Sequence, residues 1–199
     1  DEITIGWRLV HGGSHLKFGV APDIAIFAKS LGAGHPMAAV IGTEAAMEGA
    51  HTSFISSTYW TEGVGPAAAL AALDKMAAAD VPAHVARIGS LVQQVWRDGI
   101  AKHALPASVD DGFPCLAHFA FEHEEADVLR TLFTQFMLDR GFLAGCALYP
   151  TLAHTQEHVA RYAGAVDEVF ARIAEALGKG DVRAELRGPT AHSGFRRLL

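Results

Sequence analysis

Apolar and polar positions alternate differently along this chain, and each pattern predicts its own element. Between Pro22 and Thr43 the apolar runs are short and unbroken. Asp23 to Ala28 reads as a buried strand after the Pro22 break, and Met37 to Gly42 as a second. Continuous apolar strands of this length suit a parallel or mixed sheet covered on both faces. From Pro66 to Ala79 nearly every residue is a strong helix former, and Pro66 fits a first turn, where its missing N–H costs nothing. Beyond Asp80 a new helix starts. Val85, Ile88, Leu91, Val92, Val95 and Trp96 recur at three- and four-residue steps, so one face is buried.

A second region follows Ala101. Asp110-Asp111-Gly112 is a turn signal, and Cys115 to Phe121 reads as a strand. Ala126 to Arg140 is amphipathic, with Leu129, Leu132, Phe133, Phe136 and Met137 on one side and Gly141 as its C-cap. Phe142 to Tyr149 reads as another strand. Thr155 to Leu177 reads as a long helix carrying Val159, Tyr162, Val166, Val169, Phe170 and Ile173. The tail after Gly178 reads as a surface extension, with Arg196 and Arg197 as tail charges. The fold class is α/β: residues 1–79 form part of an α/β domain, and residues 80–199 a connecting helix and a smaller α+β unit.

Composition narrows the class. The chain has 199 residues, 50% hydrophobic and 19% charged, which is a globular balance. A formal net charge of -6 and the lack of a dense Lys/Arg block argue against a nucleic-acid surface. Two cysteines, Cys115 and Cys146, are too few for a disulfide framework and suggest a reducing, cytoplasmic setting. Gly, Pro or charged residues interrupt every apolar run before it reaches membrane-spanning length, so no membrane partner is expected.

The candidate chemistry centres on Phe27 to Pro36, FAKSLGAGHP. Lysine is strongly hydrated and rarely buried unless paired, yet Lys29 sits between a core strand and a glycine-rich turn. A P-loop fails, because it needs its glycines before the lysine. A dinucleotide fingerprint fails too, because no third glycine follows Gly32-Ala33-Gly34. Two readings stay open. Lys29 snorkels from the strand end to solvent, or it is a Schiff-base lysine whose amine loses its proton in an apolar pocket. The second reading calls for pyridoxal phosphate, an acid for its ring nitrogen, donors for its phosphate and a flexible loop. Asp1, the hydroxyls of Ser56-Ser57-Thr58 ahead of a helix starting near Val64, and Gly32 and Gly34 offer these in turn.

DEITIGWR, GVAPDIAIFAKSLGAGHPMAAVIG and ISSTYWTEGVGPAAALAAL, in this order, resemble class III pyridoxal-phosphate aminotransferases, nearest the branch of glutamate-1-semialdehyde aminomutase. LRTLFTQFMLDRGFLAG and AHTQEHVARYAGAVDEVF are similar to that family's small C-terminal domain. The resemblance implies the C-terminal half of a longer fold type I enzyme, whose isolated half is expected to be inactive and poorly soluble. It implies that Lys29 forms the Schiff base with pyridoxal 5'-phosphate, that Asp1 pairs with the ring nitrogen, and that Thr58 beside Ser57 binds the phosphate. It further implies a homodimer with shared active sites and a small amino or keto substrate. Transamination, intramolecular amino transfer of the 2,1-aminomutase kind, and a non-catalytic partner-binding fragment all remain open. The family's Gly-Asn-Pro after the phosphate threonine is replaced here by Thr61-Glu62-Gly63, with Trp60 before it, a departure that bears on substrate identity.

Other signals compete. His154 to His158 matches H-x-x-E-H, a zinc-protease pattern; the simpler reading makes Thr155 an N-cap and Glu157 a first-turn acid, which puts His154 outside the helix. No metal is expected. His35, His118 and His123 read as turn, surface or core histidines, Cys146 as a buried strand residue, and Arg8 as a structural ion-pair partner.

Overall fold

The structure, a computed structural model, describes residues 1–192 and 194. Arg196 and Arg197 lie outside the described residues. The chain divides into two compact units, Asp1–Ala86 and Arg87–Leu199.

The first unit runs α1 (His15–Phe18), β1 (Ile24–Phe27), β2 (Ala39–Gly42), α2 (Glu44–Met47) and α3 (Val64–Ala78). β1 and β2 pair antiparallel, Phe27 opposite Ala39 and Ile24 opposite Gly42. The pairing differs from the parallel or mixed arrangement that the unbroken apolar runs suggested. The link from Ala28 to Ala38 is too short for a parallel crossover, which takes roughly a dozen or more residues. Ala25 and Phe27 point into a small core with Leu31 and Ala69, on which Trp7, Met37 and Leu73 pack. The other face is open to water, with Ile24, Ile26 and Val40 exposed, and Ile41, opposite Ala25 on the core side, is exposed as well. So much apolar surface predicts that the 199-residue chain binds the dye anilinonaphthalene sulfonate and self-associates; a monomeric elution profile with no dye signal would contradict this.

α4 (Val81–Lys102) carries the boundary between the units. Beyond it the second unit adds β3 (Ala107–Val109), β4 (Ala117–Phe121), α5 (Ala126–Asp139), β5 (Ala147–Leu148) and α6 (Gln156–Lys179). β4 is the middle strand, antiparallel to β3 and β5. Its alternation turns Ala117, Phe119 and Phe121 inward and His118 and Ala120 outward. α5 packs on β4 and on α6. The buried faces of α4, α5 and α6 meet there in one core that includes Trp96, Phe133 and Phe170. Trp96 Nε1 donates to the Tyr162 hydroxyl at 2.9 Å, so two buried polar ring atoms satisfy each other.

Several expected elements are shorter or displaced. Cys115 and Leu116 lie in a 3-10 turn opened by Pro114, and the strand begins only at Ala117. Proline's fixed φ suits that turn, and its missing N–H suits a ladder poorly. Of Phe142 to Tyr149, only Ala147–Leu148 pairs. Leu91 stays partly exposed beside the buried Val92. At the start of α6 the Thr155 hydroxyl accepts the His158 N–H, while the His158 ring accepts the Thr155 N–H, closing a capping box. Among the described residues no helix is long and apolar enough to cross a membrane.

Candidate active site

The lysine turn is built by the end of β1. After Phe27 the chain enters a single 3-10 turn, Lys29–Leu31, in which Leu31 is buried. Lys29 has φ +42°, a left-handed conformation that non-glycine residues seldom hold. Its side chain is exposed, and Nζ donates to Thr4 Oγ1 at 2.6 Å. Among the described residues no apolar pocket encloses the amine, contrary to the expectation for a desolvated Schiff-base lysine. The turn spends its buried position on Leu31 and leaves Lys29 on the water side.

Asp1 is held next to this turn by its neighbours. The Glu2 N–H donates to the Ile26 carbonyl at 2.8 Å, which lays the Asp1–Glu2 segment beside β1. Trp7 packs on Phe27 with ring centroids 4.7 Å apart, and Arg8 Nε donates to the Thr4 carbonyl at 2.8 Å. Asp1 itself is exposed, with Oδ1 accepting the Ile3 N–H at 2.7 Å. Asp1 and Lys29 thus sit on adjoining segments bridged by Thr4.

Glu2 is a site residue that sequence reasoning missed. It is only 5% exposed. Its carboxylate accepts the Ser14 N–H (2.8 Å), the Ser14 hydroxyl (2.9 Å) and the His15 N–H (3.1 Å), with His15 Nδ1 also 3.1 Å away. Burial opposes ionisation, but the Ser14 amide, the His15 ring and amide and the Ser14 hydroxyl outweigh it. The carboxyl is therefore held below its ordinary range. The readable signal was Gly12-Gly13-Ser14, a turn rich in N–H groups that needs an acceptor. A carboxyl with a depressed folded pKa stabilises above its unfolded value and loses that contribution as pH falls through the folded one. Glu2→Ala is expected to destabilise the first unit by about 2–3 kcal/mol at pH 7, with the deficit shrinking in acid as the parent carboxyl takes up its proton. Amide exchange of Ser14 and His15 against pH checks this, and a deficit independent of pH would refute it.

Ser57 and Thr58 lie in the segment between α2 and α3, both exposed. Ser57 Oγ accepts the Tyr59 N–H at 3.2 Å, and the Ser57 carbonyl accepts the Trp60 N–H at 3.3 Å. This turn separates the hydroxyls from α3. The first amide of α3, Val64 N–H, donates to Glu62 Oε1 at 2.9 Å. A carboxylate therefore already occupies the helix start that sequence reasoning assigned to an anion.

The segment after Lys29 and the first turn of α3 meet at Met37. A Cβ on Gly65 would stand 2.9 Å from the Pro36 carbonyl oxygen, and one on Gly32 would stand 2.1 Å from that of His35 and 3.1 Å from Met37 Cβ. Only glycine lets the segment after Lys29 lie this close to the first turn of α3. A cleft of about 570 Å³ opens there, lined among others by Met37, Ser57, Tyr59, Trp60, Glu62 and Pro66. Ser57 lines it, whereas Lys29, Asp1 and Thr58 do not.

The other candidate centres resolve into structure. His154 Nδ1 accepts the Thr151 N–H at 3.0 Å, and His158 Nδ1 serves the capping box, so the H-x-x-E-H histidines shape a helix start. Among the described residues no group of three His, Cys, Asp or Glu is placed to hold a metal. His118 Nε2 stands 3.1 Å from Asp110 Oδ2, and His123 Nδ1 accepts the Glu125 N–H at 3.1 Å. Cys146 is half-buried, and burial pushes its thiol up to about 12, far from a reactive thiolate.

Comparison with known proteins places this geometry. The family described as aminotransferase class-III matches residues 1–169, and the chain belongs to that family. The 2'-deamino-2'-hydroxyneamine transaminase of Streptomyces kanamyceticus is 32% identical over 180 residues, spanning 89% of this chain and 43% of that protein. Glutamate-1-semialdehyde 2,1-aminomutase 2 of Lysinibacillus sphaericus (strain C3-41) is 26% identical over 190 residues, spanning 88% of this chain and 44% of that protein. Among solved structures, the FumI protein of Sphingopyxis sp. MTA144 superposes with a TM-score of 0.82 at 20% identity, over 89% of this chain and 43% of the other. An omega-transaminase from Sphaerobacter thermophilus gives 0.74 at 18% identity, over 86% of this chain and 43% of the other. The fold is thus α/β, part of the fold type I large domain followed by a small α+β domain. The chain spans less than half the length of the curated relatives it matches.

Proposed function

We propose that this chain carries the lysine-bearing part of a pyridoxal-phosphate-dependent transaminase. The observation that carries the reading is the bridge from Lys29 Nζ to Thr4, with Glu2 fixed to Ile26, which sets an amine and an acid on adjoining segments. An amine, a carboxylate and two hydroxyls in the segment before α3 form a donor set that suits this cofactor. Bound pyridoxal phosphate supplies an aldehyde and an electron-accepting ring, which ease removal of a proton from the carbon bearing the substrate's amino group. Lys29 Nζ would hold the cofactor's aldehyde and would move that proton. The Asp1 carboxylate would keep a proton on the ring nitrogen. Thr4 Oγ1, which accepts from Nζ here, would hold the amine whenever it is not bound to the cofactor. Thr58 and Ser57 bind the phosphate, and their placement away from Lys29 supports service to the site of a second copy in a homodimer. Residues 1–79 belong to the cofactor-binding domain and residues 80–199 to the connecting helix and small domain, in a cytoplasmic enzyme.

A second reading is intramolecular amino transfer. It is favoured by the glutamate-1-semialdehyde 2,1-aminomutase of Methanocaldococcus jannaschii, which is 48% identical over 48 residues. Borohydride reduction in the presence of pyridoxal phosphate, followed by peptide mapping, tests the common core, with the adduct expected on Lys29. A released keto product then marks transamination, and a rearranged amine marks the mutase. An adduct on any other lysine overturns the proposal.

A further inference from the structure

We propose that residues 183–192 form a releasable strap, which lets go of α5 as one unit while the core beneath stays folded, and so uncovers a peptide-docking face on that helix. The family match ends at residue 169, so the strap stands apart from the transaminase reading. Its pivot is built at the end of α6. Gly180 takes a left-handed conformation (φ +75°), and Asp181 Oδ1 accepts the Ala184 N–H at 3.1 Å. Val182 is 3% exposed and anchors the pivot, and past it only Leu186 packs on the core, partly buried. The rest of the hold, among the described residues, is polar and comes from surface side chains. The Gln135 amide grips both sides of Leu186: Nε2 donates to the Glu185 carbonyl and Oε1 accepts the Arg187 N–H, each at 2.9 Å. Arg187 pairs with Asp139 through both guanidinium nitrogens, Nη1 to Oδ1 at 2.8 Å. Past Gly188-Pro189 the chain folds back along α5. There Thr131 Oγ1 accepts the Ala191 N–H at 3.0 Å, and Arg130 donates to the Ala191 and His192 carbonyls. Arg172 pairs with Glu185 at 2.9 Å, and Arg183 with Glu125. Thr131, Gln135 and Asp139 stand at four-residue steps, so they form one row on α5. Release leaves no buried charge behind. Arg130 keeps Asp127, Arg172 stays over the Phe136 ring at 3.8 Å, and Thr131 and Gln135 are half-buried and reach water. Ion pairs this exposed contribute little and are screened by salt, so the strap opens at low cost, whereas Phe133 and Phe170 beneath it are fully buried.

Residue-resolved hydrogen exchange of the full 199-residue chain tests this. The Arg187 and Ala191 amides are expected to be protected, and their protection to fall together, by about tenfold, between low and molar salt. Asp139→Asn is expected to flatten that salt dependence. Gln135→Ala changes a half-buried surface side chain and is expected to cost both amides about tenfold in protection, although the Ala191 N–H bonds Thr131. The Phe133 and Phe170 amides hold throughout. Arg187→Glu sets a like charge against Asp139 and leaves α5 unchanged. A free peptide of residues 181–192 is then expected to bind and shift the Gln135 side-chain amide signals, while a scrambled peptide does not. An Ala191 amide indifferent to Gln135→Ala overturns the single strap. Loss of Phe133 and Phe170 protection in step with Arg187 overturns release, because the segment is then part of the core. Gln135 signals that respond to neither peptide, or to both alike, overturn the docking face.

Discussion

On the proposed role of Lys29, Lys29→Arg is expected to abolish borohydride-stable incorporation of pyridoxal phosphate and to lower turnover by about 10³-fold or more in the protein carrying this chain. Arginine keeps the positive charge and the reach toward Thr4, so the variant isolates chemistry from electrostatics. Its guanidinium stays protonated at any accessible pH and cannot bond to an aldehyde carbon or carry a proton from carbon. Stability should hardly change. Lys29 is exposed, and its one hydrogen bond among the described residues is to the Thr4 hydroxyl, while the buried position of the turn is Leu31. The unusual φ belongs to the backbone and is common to both side chains. Mass spectrometry of the reduced protein and a transamination assay check the two outcomes together. A stable adduct or residual turnover near the parent's would transfer the role to another amine.

The proposed lysine, acid and phosphate hydroxyls were named from motif order, which survives in sequence. Their environments were not legible there. Whether Lys29 is enclosed depends on which residue of the following turn faces inward, and Leu31 won that position. Glu62 was visible only as a departure from a pattern; its bond to Val64 depends on where α3 starts. Glu2 escaped notice because its donors, Ser14 and His15, are distant in the chain and fold back onto it. In the second unit, α5 and α6 followed directly from their apolar stripes, since a helix that buries one face writes that face at a fixed period. The Thr155 cap was readable for a similar local reason. Strand pairing was harder. An apolar run reports burial but says nothing of partner direction, and β1 with β2 turned out antiparallel.

Phe119→Ala is expected to unfold the second unit more than any surface change could, at about 3–5 kcal/mol. Phe119 is 2% exposed and stands at the middle of β4. Its ring lies 5.0 Å from Trp96, 5.1 Å from Phe133, 5.5 Å from Phe121 and 5.7 Å from Phe170, centroid to centroid. One side chain thus joins α4, α5, α6 and the sheet. Deleting it leaves a cavity bounded by rings fixed from separate elements, which cannot all move inward together. The contacts with Phe133, Phe121 and Phe170 are edge-on, a geometry worth about 0.5–1.5 kcal/mol per pair beyond area alone. Phe119→Leu restores most of the volume but not the ring edges, and should cost about 1–2 kcal/mol. Hydrogen exchange of α5 and α6 amides measures both variants within the second unit, whatever the state of the first. If the alanine variant loses less than about 1 kcal/mol of protection, the core does not depend on this ring, and the stripes of α5 and α6 hold the unit without it.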